Sequence, residues 1–152
     1  MFILDAVMGL LKTSKNALVR KCCIEVIPAI YKSIKSFQEN PALTDNAIRE
    51  ILEFIKLPNN KDRGTGFISL GELARMKTPP KNFDKYIDNI LTLISEEIKL
   101  PPKGRDGLIK LQADLDSLTC MKYLLRSFGP LLKNKIDMYA LINDIFYTGY
   151  NR

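Results

Sequence analysis

One apolar ladder, repeated four times, restricts this chain more than any other feature. Leu4, Val7, Met8 and Leu11 follow the spacing i, i+3, i+4, i+7. Ile48, Ile51, Leu52 and Ile55 repeat it, then Ile87, Ile90, Leu91 and Ile94, then Met138, Leu141, Ile142 and Ile145. Residues so spaced line one face of an α-helix, and the period-two alternation of strands is missing, so the expected fold is all-α. Successive ladders are 44, 39 and 51 residues apart. A second template runs between them: Cys23, Ile24 and Ile27 match Gly66, Phe67 and Leu70, and then Cys120, Met121 and Leu124. Arg20 to Arg63 is a step of 43 and Arg63 to Ser117 a step of 54, the excess falling in the loop at 100–107.

Breakers and cap formers divide the chain into seven expected helices, at 2–13, 16–37, 43–57, 61–77, 83–99, 109–128 and 131–147. Asn40-Pro41, Pro58-Asn59-Asn60, Thr78-Pro79-Pro80 and Pro101-Pro102-Lys103-Gly104 supply the punctuation. Gly129-Pro130 is expected to close the sixth helix as a glycine cap followed by proline. Two alternating templates at a step of about 40–47 residues are the mark of HEAT or armadillo hairpins, which bury their apolar faces only by stacking. The expectation is a right-handed α–α superhelix of antiparallel pairs over 1–152. Repeat 1 would span 2–37, repeat 2 43–77 and repeat 3 83–128, with a half repeat at 131–147. A compact bundle with helices of uneven length is the alternative. VRKCCIEVIPAI favours the repeat reading, with a basic Arg20 ahead of an apolar run and with Pro28 set to kink the helix.

The stretch KDRGTGFISLGELARM raises the question of a phosphate-gripping loop. Such loops need a strand before the glycines, and here an apolar helix and a turn precede Gly64. The spacing GxGxxxxG, with no GK[ST] behind it, also fails the motif. The second template gives these glycines a packing role instead. Gly66 stands where the other two copies carry Cys23 and Cys120, and Gly71 stands where they carry Pro28 and Leu125. Small side chains there let helix backbones approach.

Chemistry is narrowed by the complete absence of histidine, which removes Ser-His and Cys-His pairs and HExxH metal sites together. Cys22, Cys23 and Cys120 lack a CxxC spacing and read as small core residues of a reducing compartment. Glu96-Glu97 and Asp114 with Asp116 read as solvated helix faces. No cofactor, metal or small-molecule ligand is implied. No apolar run reaches the roughly 18 residues needed to span a bilayer, and no basic region precedes the apolar start, so the expectation is a cytoplasmic protein. The formal charge of +6 allows an acidic partner, but the lysines lack interleaved aromatics, which disfavours nucleic acid.

DRGTGFISLGELA, the YIDNILTLI helix ending in LPPKG, the LTCMKYLLRSFGP helix and VRKCCIEVIP together resemble the N-terminal HEAT-repeat region of the target of rapamycin kinases. These are large phosphatidylinositol-3-kinase-related serine/threonine kinases. The likeness is loosest at 36–47, and none of the kinase motifs is present, so no catalytic residue carries over. The resemblance implies a non-catalytic solenoid wall that docks raptor-type or rictor-type adaptors in growth signalling. A stand-alone basic helical-repeat protein that binds nucleic acid or another acidic partner is the alternative. Expected contact residues are Arg20 and Lys21 on the second helix and Lys103 and Arg105 in the 100–107 loop. Expected packing positions are Cys23, Pro28, Ile51, Gly66, Gly71, Ile90 and Cys120. The outermost helices are expected to expose apolar faces.

Overall fold

The computed structural model describes residues 2–101 and 106–133, together with 135 and 140. Among the described residues there are seven α-helices, one 3-10 turn and no strand. The helices are α1 Phe2–Thr13, α2 Ala17–Ser33, α3 Lys35–Gln38, α4 Pro41–Lys56, α5 Arg63–Ala74, α6 Ile87–Lys99 and α7 Gly107–Leu132. The 3-10 turn, Phe83–Tyr86, runs directly into α6. Among the described residues, no helix is long and apolar enough to cross a membrane.

Local chemistry explains the boundaries. Asn16 caps α2 by accepting from Val19 N at 3.1 Å. Asn40 caps α4 by accepting from Ala42 N and Leu43 N at 3.1 and 3.3 Å, with Pro41 in the first turn, where no amide donor is needed. Between α4 and α5, Asn59 takes a left-handed φ of 56°, which asparagine tolerates better than most residues. Asn60 Nδ2 then donates to Phe54 O at 2.7 Å, satisfying a carbonyl near the end of α4.

One expected helix boundary needs correction, and a second is met by different chemistry from the one expected. The helix expected over 16–37 stops at Ser33, because Ile34 is extended at φ −117°, ψ 106°. The break carries Phe37 into the core, where it meets Tyr31 edge-on at 5.7 Å between ring centroids. Gln38 Nε2 donates to Tyr31 O and Lys32 O, serving carbonyls that the interrupted helix leaves open. Within α7 two helical pieces meet across a kink where the expected 109–128 helix ends, but Gly129 does not adopt the left-handed conformation of a glycine cap. The axis breaks one residue earlier, at Phe128 (φ −129°, ψ 25°), as a proline that clashes with the preceding turn requires. That bend stacks Phe128 on Phe83, 5.5 Å between centroids. The helix expected at 131–147 falls, apart from its first residues, outside the described residues.

Packing follows the chain order: α1 lies on α2, α4 on α5 and α6 on α7. Across the α4–α5 turn, the Cα of Gly66 faces Ile55 and Phe54, the register of an antiparallel hairpin. The second members of the pairs then lie side by side, α2 against α5 and α5 against α7. Their registers climb together. Lys21 reaches Asp62, Ser69 reaches Ile24 and Tyr31 reaches Thr78, while Gly64 meets Asp116 and Gly71 meets Cys120. Helices whose contact positions rise together are parallel, so α2, α5 and α7 form a parallel row with α5 in the middle. On the other layer, Lys85 pairs with Asp45 at the start of α4 at 2.9 Å.

The three apolar ladders that lie within the described residues face one continuous core, and the fourth, at 138–145, falls outside them apart from residue 140. Ile51 and Ile90 are both fully buried in that core, as are Ile48, Ile87 and Ile94. All nine residues of the second template are buried as well, from Cys23 and Ile24 to Met121 and Leu124. Val7 and Leu91 are only partly covered and pack at its edge.

Candidate functional site

The expected basic contact surface is only partly free. Lys21 Nζ lies 3.9 Å from Glu25 and 3.9 Å from Asp62, so it bridges α2 to the turn before α5. Arg20 is half-buried, and its Nε is enclosed without a hydrogen-bond partner. Lys103 and Arg105 lie outside the described residues.

Arg63, which the repeat step pairs with Arg20, has a different environment. Its Nε donates to Glu97 Oε1, its Nη2 to Glu97 Oε2 at 3.0 Å, and its Nη1 to Asn60 O at 3.1 Å. The hydrogen bonds to Glu97 hold the Arg63 guanidinium above its ordinary value despite the opposing effect of burial. The contrast with Arg20 has a simple origin. Counting back from Glu97 by the 39-residue step between α6 and α4 lands on Pro58, which offers no carboxylate.

Glu97 also anchors a second cation. Lys110 Nζ donates to Glu97 O, to Glu97 Oε2 at 3.3 Å and to Asp114 Oδ1, which occupies all three ammonium protons. Glu97, Lys110 and Asp114 are 4%, 4% and 2% exposed, so the reading of Glu97 and Asp114 as solvated faces is wrong. The sequence does contain Lys110 and Asp114 at i, i+4, but nothing in it marks the pair as interior. Two cations and two carboxylates are thereby locked together among α5, α6 and α7. Their pairing offsets the cost of removing four charges from water. The cluster borders a cleft of about 560 Å³ that also touches Leu57, Phe67, Leu93 and Ile109.

The glycines are sites of close approach. A Cβ built on Gly66 would stand 2.4 Å from Ile55 Cγ1, and one on Gly71 would stand 3.2 Å from the Cα of Cys120. A Cβ on Gly64 would meet Asp116 Oδ2 at 2.2 Å, so a carboxylate already lies over the first turn of α5. No strand precedes these glycines. The chain enters α5 from the turn at Asn59 and Asn60.

Pro28 sits inside α2 without ending it. Having no amide proton, it cannot serve the carbonyl of Ile24 four residues back. Ser69 Oγ of α5 donates to that carbonyl instead, at 3.0 Å in a buried position. Sequence reasoning found the proline and missed the serine, whose only signal was a hydroxyl at a core-facing helix position.

Beside this joint, α2 and α5 line a groove of about 490 Å³ to which α7 contributes Asp116. Burial pushes the Asp116 carboxyl above its ordinary value, opposed by the hydrogen bond from Gln112. The thiols divide by exposure. Cys22, expected in the core, is instead exposed, whereas Cys23 and Cys120 are buried, with burial pushing Cys120 up to about 12. Among the described residues no group of three or more cysteines and carboxylates is arranged to hold a metal ion. Comparison with protein-family models, with curated proteins and with solved structures finds no match to this chain.

Proposed function

We propose that this chain is a segment of a HEAT-like right-handed α–α superhelix, of the kind found in the target of rapamycin kinases, and that it acts without chemistry of its own as a cytoplasmic protein-binding scaffold. The observation that carries this reading is the parallel row α2, α5, α7, each member paired with its own preceding helix. A closed bundle would return its last helix to its first, whereas a stack adds pairs in one direction. Exposed apolar residues on the first and last described helices fit the same reading. Phe2 and Ile3 on α1 are 93% and 61% exposed, and Leu108 and Leu115 on α7 are 82% and 50% exposed. Such patches mark surfaces that other protein covers.

Raptor-type or rictor-type adaptors are the partners this reading names. Titrating the 152-residue chain with a purified raptor-type or rictor-type adaptor should give saturable binding by interferometry. Binding to neither adaptor would sink the family reading and leave the helical architecture untouched. Nucleic acid is the weaker candidate, because Lys21, Lys35, Lys85 and Lys135 each lie within ion-pair range of a carboxylate.

A further inference from the structure

The groove between α2 and α5 has a chemistry that differs from the rest of the surface. The chain carries a formal charge of +6, yet the groove gathers three carboxylates, Glu25, Glu72 and Asp116, against one lysine, Lys32. Neither glutamate is committed to a strong partner. Glu25 lies 3.9 Å from Lys21 and Glu72 lies 3.4 Å from Arg75, and with the two carboxylates 53% and 40% exposed both pairs are weak. Asp116 has a neutral partner, the Gln112 amide at 2.9 Å. Ile68 and Met76 supply apolar lining between the acids.

We propose that this groove docks a short extended protein segment bearing two basic residues, one cation lying against Asp116 and the other against Glu72, about two helical turns further along α5, with the flanking apolar side chains on Ile68 and Met76. The charge complementarity selects the occupant. An acidic segment or a nucleic-acid backbone would meet three like charges, and a purely apolar helix would leave the carboxylates to be desolvated without compensation. A cation placed there gains charge-assisted hydrogen bonds at a carboxylate that is already partly desolvated. This inference does not depend on the target of rapamycin reading, because it uses only the groove.

The test is a titration of the ¹⁵N-labelled 152-residue chain with the acetylated, amidated peptide ALRLKA and with its acidic counterpart ALELEA. ALRLKA should give saturable amide shifts centred on Thr65, Ser69 and Glu72, and ALELEA should give none there. The isosteric double variant Glu72→Gln/Asp116→Asn should weaken ALRLKA at least about tenfold, a change of roughly 1.4 kcal/mol. Circular dichroism of that variant checks that the helices are intact. Equal responses to the two peptides, shifts confined to another surface, no saturable response, or an unchanged affinity in the folded double variant would each overturn the proposal. Should the double variant fail to fold, the contrast between the two peptides on the unaltered chain still decides.

Discussion

Helix α5 is fastened on its two sides by opposite kinds of chemistry. Toward α2 the buried part of the joint is neutral, with the Lys21–Asp62 pair lying outside it at the exposed entry to α5. A proline strips one donor from α2, and a single hydroxyl, Ser69 Oγ, crosses over to serve the orphaned Ile24 carbonyl. Toward α6 and α7 the joint is ionic and enclosed, with Arg63 and Lys110 both held on Glu97 and Lys110 also held on Asp114. About two helical turns further along the α5–α7 seam the backbones close up on glycine, with Gly71 against Cys120. The difference lies in how each joint fails. A neutral joint loses one hydrogen bond, whereas an ionic one strands charges in the interior when any member leaves.

The ionic joint should therefore break hardest. Glu97→Ala leaves Arg63 without its bidentate partner and removes a carboxylate from Lys110, which is 4% exposed. The expected loss is about 3–5 kcal/mol, read as a drop in the urea midpoint. A loss below about 1 kcal/mol would mean that water already reaches the cluster, and the contrast between the joints would collapse.

Next comes the close approach of α5 to α7. Gly71→Leu must place its Cβ 3.0 Å from Tyr123 Cδ2 and 3.2 Å from the backbone of Cys120, and the backbone cannot rotate aside. Overpacking of this kind costs about 1–3 kcal/mol and sometimes more, and thermal unfolding measures it. Gly66→Ala meets side-chain atoms instead, with Ile55 Cγ1 at 2.4 Å. Cγ1 is bonded directly to the Cβ of a buried β-branched side chain, so Ile55 must move with part of α4. Alanine adds only one methyl, however, and removes the penalty of a helical glycine of about 0.5–1 kcal/mol, which keeps the net loss below that of Gly71→Leu. Neither variant should create or abolish nucleotide affinity. Saturable binding of labelled ATP to the parent chain would return the glycine stretch to its first reading.

These differences follow what the sequence could and could not display. The ladders and the second template are statements about which face of each helix is apolar, and periodicity reports that directly. Ile51, Ile90, Gly66 and Cys120 are all buried accordingly. The break at Ile34 was hidden, because the apolar spacing continues through it and the cause is tertiary, the seating of Phe37 against Tyr31. The ionic joint was hidden for a related reason. Lys110 with Asp114 looks like an ordinary surface pair at i, i+4, and only the arrival of Glu97 from α6 and Arg63 from α5 encloses it. Polar residues drawn from three helices carry no shared period. Arg20 shows the converse, since the template matched it to Arg63 while the carboxylate that defines Arg63 has Pro58 in its place.

The smallest expected effect separates the two joints most cleanly. In the parent chain the Ile24 carbonyl accepts from Ser69 because Pro28 cannot donate, so Ser69→Ala leaves a buried acceptor bare at a cost of about 1–3 kcal/mol. Pro28→Ala restores an amide proton four residues beyond that carbonyl, and the helix can then satisfy it internally. In the Pro28→Ala background, Ser69→Ala should therefore cost less, with a coupling of about 1 kcal/mol in a double-mutant cycle by urea unfolding. The single-variant values matter little, since Pro28→Ala also changes packing and the entropy of the unfolded chain. The coupling term cancels those contributions. Strict additivity would show that Ser69 packs at the joint without supplying the donor that Pro28 removes, and the neutral joint would then be held by shape alone.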